Sequence, residues 1–406
     1  MRVAFVVNDL QLSGGVGVVV EHARQLARRH GFAIHLVLAR RQEQPEWGFD
    51  GLADVPVLGM EAARAERYDV AVATWWETVA PALELDAGRH AYFIQSLEDR
   101  FYAPQEPQRL AAALTHDLPL HVITEARWIA ETLEALAPER RCLLVRNGID
   151  KAVFAPPDAP AVAPDGRLRI LIEGDPHVWF KGVGDALAAT RAMGEPRIVT
   201  AVARSAHALE GADRVIGPLA PRAMASAYAA ADVVLKLSRV EGMFGPPLEG
   251  FHMGATCVVT AVTGHEEYVV HGENGLVVGW DDERGTSRAL DLLARDRRLL
   301  HRLRHGALAT ARGWPAWEQQ GAVMAAALRE IARRPPLPAR PFEARLLADV
   351  RGGIEAQAVV AAERDRLRWR IAPLLALERV LERPAVRWIA RPVRSAWGAG
   401  RRRLGR

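Results

Sequence analysis

"RVAFVVNDLQLSGGVGVVVEHARQLARRHGFAIHLVLA", residues 2–39, decides the fold. Val3 to Val7 is an unbroken apolar run, as in a strand buried on both faces. A Gly-rich loop follows, Ser13 to Gly17. "VVVEHARQLARRHG" then carries apolar residues at helical spacing and ends on Gly31, a residue suited to a helix C-terminus. "FAIHLVLA" returns as a second strand. Strand, loop, helix and strand in that order open a doubly wound parallel sheet.

The alternation continues outward from this unit. Strands are expected at "YDVAVAT", "HAYFIQS", "LHVITE" and "RCLLVRN", with helical segments such as "ARWIAETLEALA" between them. Residues 151–166, "KAVFAPPDAPAVAPDG", are rich in Pro and Ala without apolar period, which is linker composition. The pattern then restarts: strand "LRILIEG", helix "GVGDALAATRAM", strand "PRIVTAVA", helix "PRAMASAYAAA", strand "DVVLKLS", a helix after "GPPLEG", and strand "TCVVTAV". The expected architecture is α/β: two Rossmann-like domains, 1–150 and 167–335, facing each other across a cleft. Residues 336–406 form a basic helical tail. Ligands belong where strand ends meet helix starts.

At 406 residues, half hydrophobic and a quarter charged, the composition is globular and fits two domains plus an appendage. Cys142 and Cys257 stand far apart without metal-ligand spacing, so buried free thiols are expected, not a bridge or a zinc site. The N-terminus lacks the pattern of a signal peptide, and no apolar run is long enough to span a bilayer. The expectation is a cytoplasmic protein. Its net charge of +4 hides an asymmetry: residues 351–406 hold 14 Arg against 5 acids, which leaves the rest of the chain acidic.

Three stretches can carry chemistry. In "SGGVG", Gly14 and Gly15 sit where a strand turns into a helix, either an anion site or a tight turn without ligand. The third glycine of a dinucleotide fingerprint is missing, and the second strand ends in Arg where a ribose-binding acid would stand. A nicotinamide-dependent dehydrogenase is disfavoured. In "EGDPHVWFKGVGDAL", Lys181 precedes Gly182 at another strand-to-helix turn. Lys occurs three times in the chain, at 151, 181 and 236, so this one is either a chosen point charge or a solvated surface residue.

"LSRVEGMFGPPLEGFHMG", residues 237–254, is the richest stretch. Pro246 and Pro247 suit a first helical turn, where Gly245, Leu248 and Glu249 would supply free amides to an anion. Glu249 at a helix start can also be dipole compensation, whereas Glu241 before the turn has no such explanation.

"EGMFGPPLE" is similar to the E-x7-E element of retaining nucleotide-sugar glycosyltransferases of the GT-B fold, glycosyltransferase family 4. The "GG" loop, "FKG", "NGID" at 147–150 and "TGHEEYVVHGENGLVV" at 263–278 agree with that family in order and spacing, over about the first 330 residues. The resemblance implies that Glu241 faces the donor sugar and that Glu249 accepts from the nucleotide ribose. It implies that Lys181 neutralises the diphosphate, with help from Gly14, Gly15, Phe244, Gly245 and Leu248. Glu241 and Lys181 are then the catalytic pair, with a nucleoside-diphosphate sugar as substrate and no metal or other cofactor. Retention would follow a front-face route in which the leaving diphosphate accepts the acceptor proton.

Two departures stand out. Asp175 occupies the place of the family's usual Arg, with Arg204 as a candidate replacement, and Gln95 stands where a His is usual. "TWWETVA" and "YFIQSLEDRFY" resemble the rhamnosyltransferase branch that builds bacterial cell-surface glycans, which implies dTDP-rhamnose as donor. Trp75, Trp76, Phe101 and Tyr102 offer faces for sugars, and Gln95, Glu77 and Glu98 offer hydroxyl contacts, with one of the adjacent tryptophans given to the core. His177 and His265 are held in reserve.

The tail interleaves Arg with Trp, Leu and Ile, broken by Pro373, Pro384 and Pro392. It suits either an interfacial helix on anionic lipid, where a lipid-linked acceptor would lie, or helices packed on the body or a partner. No nucleic-acid motif accompanies the charge. Two rival functions stay open: a non-catalytic glycan-binding or scaffold subunit of a polysaccharide assembly complex, and a nucleotide-sugar epimerase of the same fold.

Overall fold

The computed structural model describes residues 1–11, 13–40, 52–161, 165–203 and 209–338, and beyond them 345–354, 356–357, 359–364 and 366. Two compact units divide the chain, Met1–Leu347 and Ala348–Arg406. In the second unit every described residue is helical. Most of the basic stretch 351–406 lies outside the described residues, as does Arg204. Among the described residues no helix is long and apolar enough to cross a membrane.

The first unit holds two parallel sheets. One contains β1 (Arg2–Val7), β2 (Ala33–Leu38), β3 (Val57–Gly59), β4 (Arg67–Ala73), β5 (Asp86–Ile94), β6 (His121–Thr124) and β7 (Leu143–Leu144). Their spatial order, β3-β2-β1-β4-β5-β6-β7, is the Rossmann order with one strand added. The other contains β8 (Leu168–Glu173), β9 (Arg197–Val202), β10 (Arg214–Ile216), β11 (Val233–Lys236), β12 (Thr256–Thr260) and β13 (Gly275–Val278), ordered β10-β9-β8-β11-β12-β13. Each sheet reverses its order once, where Val3 lies beside Val70 and Ile170 beside Val233. Loops leaving such a switch point diverge and open a crevice.

Helices α1 (Gly14–His30), α2 (Met60–Arg64), α3 (Val79–Leu83), α4 (Pro107–His116) and α5 (Arg127–Leu136) belong to the first half. Helices α6 (Val183–Arg191), α7 (Pro221–Ala229), α8 (Gly245–His252), α9 (Glu283–Arg295) and α10 (Arg297–Gly313) belong to the second. The strands are apolar because both faces are covered: Val3 to Val7 and Thr256 to Thr260 are buried throughout. Helix α1 starts on Ser13, whose Oγ accepts the Val16 N–H at 3.2 Å, and ends on Gly31 at φ 67°.

The last helix, α11 (Trp317–Arg333), does not stay with the second sheet. Its Met324, Leu328 and Ile331 enter the core formed by Val3, Phe5, Val20 and Leu26 of the first. The span 167–335 read as the second domain therefore ends with an element of the first lobe. "NGID" lies where the chain leaves that lobe, against the segment by which it returns: Ile149 N–H donates to Pro315 at 3.2 Å, and Trp314 Nε1–H to the Asn147 carbonyl at 2.9 Å. Nor is the Pro-Ala stretch free of the body, since Phe154 packs in the second core.

Candidate active site between the two lobes

Lys181 and Glu241 meet although 60 residues separate them: the Lys181 ammonium lies 3.0 and 3.3 Å from the two Glu241 oxygens. The backbone explains how. Strands β8 and β11 are neighbours, so the loops leaving them share one edge. Gly182 follows Lys181 at φ 64°, and a Cβ there would stand 2.0 Å from the Leu237 carbonyl oxygen. Only glycine lets the "FKG" loop touch the end of β11, which delivers Lys181 to Glu241. Glu241 is buried, at 8 % exposure.

Helix α8 begins at Gly245, so the Gly-Pro-Pro turn is its first turn and the helix does not merely follow it. The first N–H groups of a helix lack internal acceptors, and here two of those positions are prolines. Gly245 and the cap residue Phe244 therefore carry the free amides. The Leu248 and Glu249 amides fall within the helical ladder, which corrects the expectation that they face an anion. Phe244 and Leu248 have no exposed side-chain surface, and the Tyr268 hydroxyl donates to the Phe244 carbonyl. Glu249 is half-buried. Burial pushes its carboxyl up to about 7, against the lowering effect of the Tyr228 hydroxyl; Glu173 raises it further and Lys236 lowers it.

The first lobe closes directly onto this loop. A Cβ on Gly242 would lie 1.7 Å from the Gln95 carbonyl oxygen and 2.8 Å from a Glu125 oxygen. Trp128 Nε1–H donates to the Gly242 carbonyl at 3.0 Å. Glu125 accepts the Met243 N–H and the Asn147 side-chain N–H, each at 2.8 Å. Burial raises its carboxyl to about 7 against those two donors. Glu125 thus ties "NGID" to "EGMFG", a role that sequence reading missed; its only signal was an acid ending the strand "LHVITE". The Gln95 side chain lies against the glycine loop, 3.3 Å from where a Gly15 Cβ would be. Gly14, at the first position of α1, is exposed.

The residues expected on the acceptor side divide. Trp76 is the tryptophan given to the core: it has no exposure, and its Nε1–H donates to the Tyr102 hydroxyl at 2.9 Å. Glu98 is 1 % exposed, accepts from the Tyr92 hydroxyl at 2.8 Å and from the Trp76 backbone, and is pushed well above the carboxylate range by burial. It supports the core and does not face an acceptor. Glu77 is held by Arg40 at 2.7 Å and by Asn8. Burial pushes the Tyr102 hydroxyl up to about 12. Trp75 is partly exposed and stacks on Phe101 with centroids 5.7 Å apart. Phe101 meets Phe180 of the other lobe at 4.9 Å, and Trp179 Nε1–H donates to the Phe101 carbonyl at 3.3 Å. Trp179 and Phe180, passed over in the sequence, extend the aromatic row across the cleft.

The Asp175 carboxylate accepts the His177 N–H at 2.9 Å and shapes the loop. His177 is exposed, and His265 Nδ1 faces the Val262 carbonyl at 2.6 Å. A second ion pair that was not anticipated, Lys236 with Glu173 at 2.6 Å, joins the ends of the neighbouring strands β11 and β8. A cavity of about 180 Å³ opens along the same sheet edge, lined by Asp185, Arg239, Thr260, Trp280 and Asp281; neither Lys181 nor Glu241 lines it.

Residues 168–296 match the family Glycosyl transferases group 1. No curated protein sequence matches the chain. Among solved structures it is similar to sucrose-phosphate synthase from Thermosynechococcus elongatus, with TM-score 0.67 and 15 % identity over 81 % of this chain and 98 % of that one. It is similar to Anabaena HepE in complex with UDP and glucose, with TM-score 0.64 and 15 % identity over 81 % of this chain and 100 % of that one. WaaG, a glycosyltransferase involved in lipopolysaccharide biosynthesis, aligns with TM-score 0.57 and 14 % identity over 80 % of this chain and 98 % of that one. The architecture is GT-B, and with the match over residues 168–296 it supports a glycosyltransferase.

Proposed function

We propose that the protein is a retaining, metal-independent glycosyltransferase of family 4. It moves a hexose or deoxyhexose from a nucleoside-diphosphate sugar to a glycan or lipid-linked acceptor in cell-surface polysaccharide synthesis. The observation that carries this reading is the Lys181–Glu241 contact at the interlobe cleft, beside the α8 helix start. A departing nucleoside diphosphate gains negative charge, and a fixed ammonium with free helix-start amides can stabilise it without a metal. In this reading Glu241 faces the sugar, and Trp75 with the aromatic row meets an acceptor. Rhamnose carried by dTDP is the narrower version suggested by the first-lobe motifs. HepE has been captured with UDP and glucose, which supports a nucleotide-sugar donor here. A thermal-shift screen against UDP, GDP, dTDP and their sugars tests the reading. At least one ligand should raise Tm by mass action; no response from any of them would favour the scaffold alternative.

Donor affinity should depend on pH. If Glu249 accepts from the ribose as a carboxylate, its raised pKa of about 7 means that part of the population is protonated at neutral pH. Binding of a nucleotide sugar should therefore tighten as pH rises through about 7, since the ligand favours the ionised form. Glu249→Gln should flatten that dependence, and Glu125→Gln, altering the other acid near this range, should leave it in place.

The protein is also proposed to meet the anionic inner face of the cell membrane through residues 351–406. Truncation after Leu347, the end of the first compact unit, should abolish sedimentation with anionic vesicles. Unchanged sedimentation would remove the membrane from the reading.

A further inference from the structure

Two charged residues at the switch point of the second sheet have no part in the reading above. Glu173 ends β8 and Lys236 ends β11, the adjacent strand. Leu171 and Val234, two residues earlier on each strand, share a core with Tyr228 of α7 and Leu248 and Phe251 of α8. Strand alternation therefore directs Glu173 and Lys236 to the face covered by α7 and α8, the face that carries Glu249.

Lys236 is 1 % exposed, and its ammonium donates to the Glu173 carbonyl at 3.1 Å and to Glu173 Oε2 at 2.6 Å. The Glu173 side chain is 30 % exposed. Desolvation works to raise its pKa, but Lys236 overrides that and holds it below the usual range, with Lys181 adding to the effect. The Tyr228 hydroxyl, wholly buried, lies on the same face and favours the ionised form of Glu249. An ionised, partly exposed carboxylate on the face that carries Glu249 and Tyr228 makes a hydrogen-bonding group larger than one acid.

We propose that Glu173 is a second hydroxyl acceptor of the donor site, set beside Glu249 to take the vicinal hydroxyls of a ribonucleoside. The inference rests on the proposed function and sets aside its narrower dTDP version: the donor carries ribose, not deoxyribose. Lys236 makes this possible. Three carboxylates, Glu173, Glu241 and Glu249, would repel a diphosphate, and a buried ammonium cancels one of those charges while fixing the rotamer of the acid it holds. Its compact ammonium reaches both the backbone and the side chain of Glu173 while almost fully buried. Glu173 is left as an acceptor-only group, selective for O–H donors.

The test is calorimetric titration with a ribonucleoside diphosphate and its 2′-deoxy counterpart, UDP with dUDP and GDP with dGDP. The wild type should favour the ribo form by at least about tenfold, because an acceptor left without its hydroxyl is penalised. Glu173→Leu combined with Lys236→Met removes both charges together and leaves no unpaired buried ion. In that variant the preference should shrink to about twofold or less, with the 2′-deoxy affinity nearly unchanged. A wild type that binds both forms equally, or binds dTDP best, overturns the inference, as does a double variant that weakens both ligands alike. If no nucleoside diphosphate binds the wild type, the proposed function itself fails.

Discussion

Glu241→Ala is expected to lower sugar transfer by about 10³-fold or more, in the range found when one preorganised electrostatic group is lost from a reacting centre. Among the described residues, Glu241 is the acid whose carboxylate lies on Lys181, with both oxygens within 3.3 Å of the ammonium. In the proposed reading its removal takes away the group that meets the donor sugar, and it leaves Lys181 without this carboxylate. Stability should change little, because the Lys181 side chain keeps 29 % exposure and can be hydrated once its partner is gone. The fall should appear in kcat more than in donor affinity, since the diphosphate contacts stay in place. An alanine variant that transfers sugar at the wild-type rate would show that Glu241 is misassigned.

Gly242→Ala is expected to damage both stability and activity without touching a charged group. The added Cβ would sit 1.7 Å from the Gln95 carbonyl oxygen, a backbone atom that cannot swing aside. The lobes must part or the "EGMFG" loop must shift, which disturbs the Trp128–Gly242 and Glu125–Met243 hydrogen bonds. Overpacking of this kind costs about 1–3 kcal/mol. Displacing the adjacent Glu241 by an ångström should lower kcat/KM by about 10²-fold. Gly184→Ala is the control: nothing lies within 4 Å of its would-be Cβ, so Tm and activity should stay near wild type. Equal behaviour of the two variants would mean that the lobe seam is not specified by Gly242.

The sequence carried much of this architecture because buried parallel strands advertise themselves as apolar runs. β1, β2 and β12 are such runs, and Ser13 and Gly31 punctuate α1 at both ends. β3 and β10, three residues each, are too short to show a period and went unread. The destination of α11 was also invisible: its apolar face says that it packs, not on which sheet. At the site, the residue types of Lys181, Glu241 and Glu249 could be named from spacing, but the pairing of the first two depends on β8 lying beside β11. Which of the two adjacent tryptophans enters the core could not be read from spacing, because a short turn, Trp76–Thr78, and not a strand, decides it. Glu125, Glu173 and Lys236 belong to no motif. Their partners lie 22 to 118 residues away along the chain, and only the folded sheets bring them together.

The central claim is that the cleft at Lys181 and Glu241 binds the diphosphate of a nucleotide sugar. Calorimetric titration of the best nucleoside diphosphate into wild type and Lys181→Met measures this most directly. The expected result is binding to the wild type that weakens by at least about tenfold in the variant, while the nucleoside alone binds both proteins equally. Equal diphosphate affinity for the two proteins would contradict the claim and place the nucleotide, if it binds, elsewhere on the molecule.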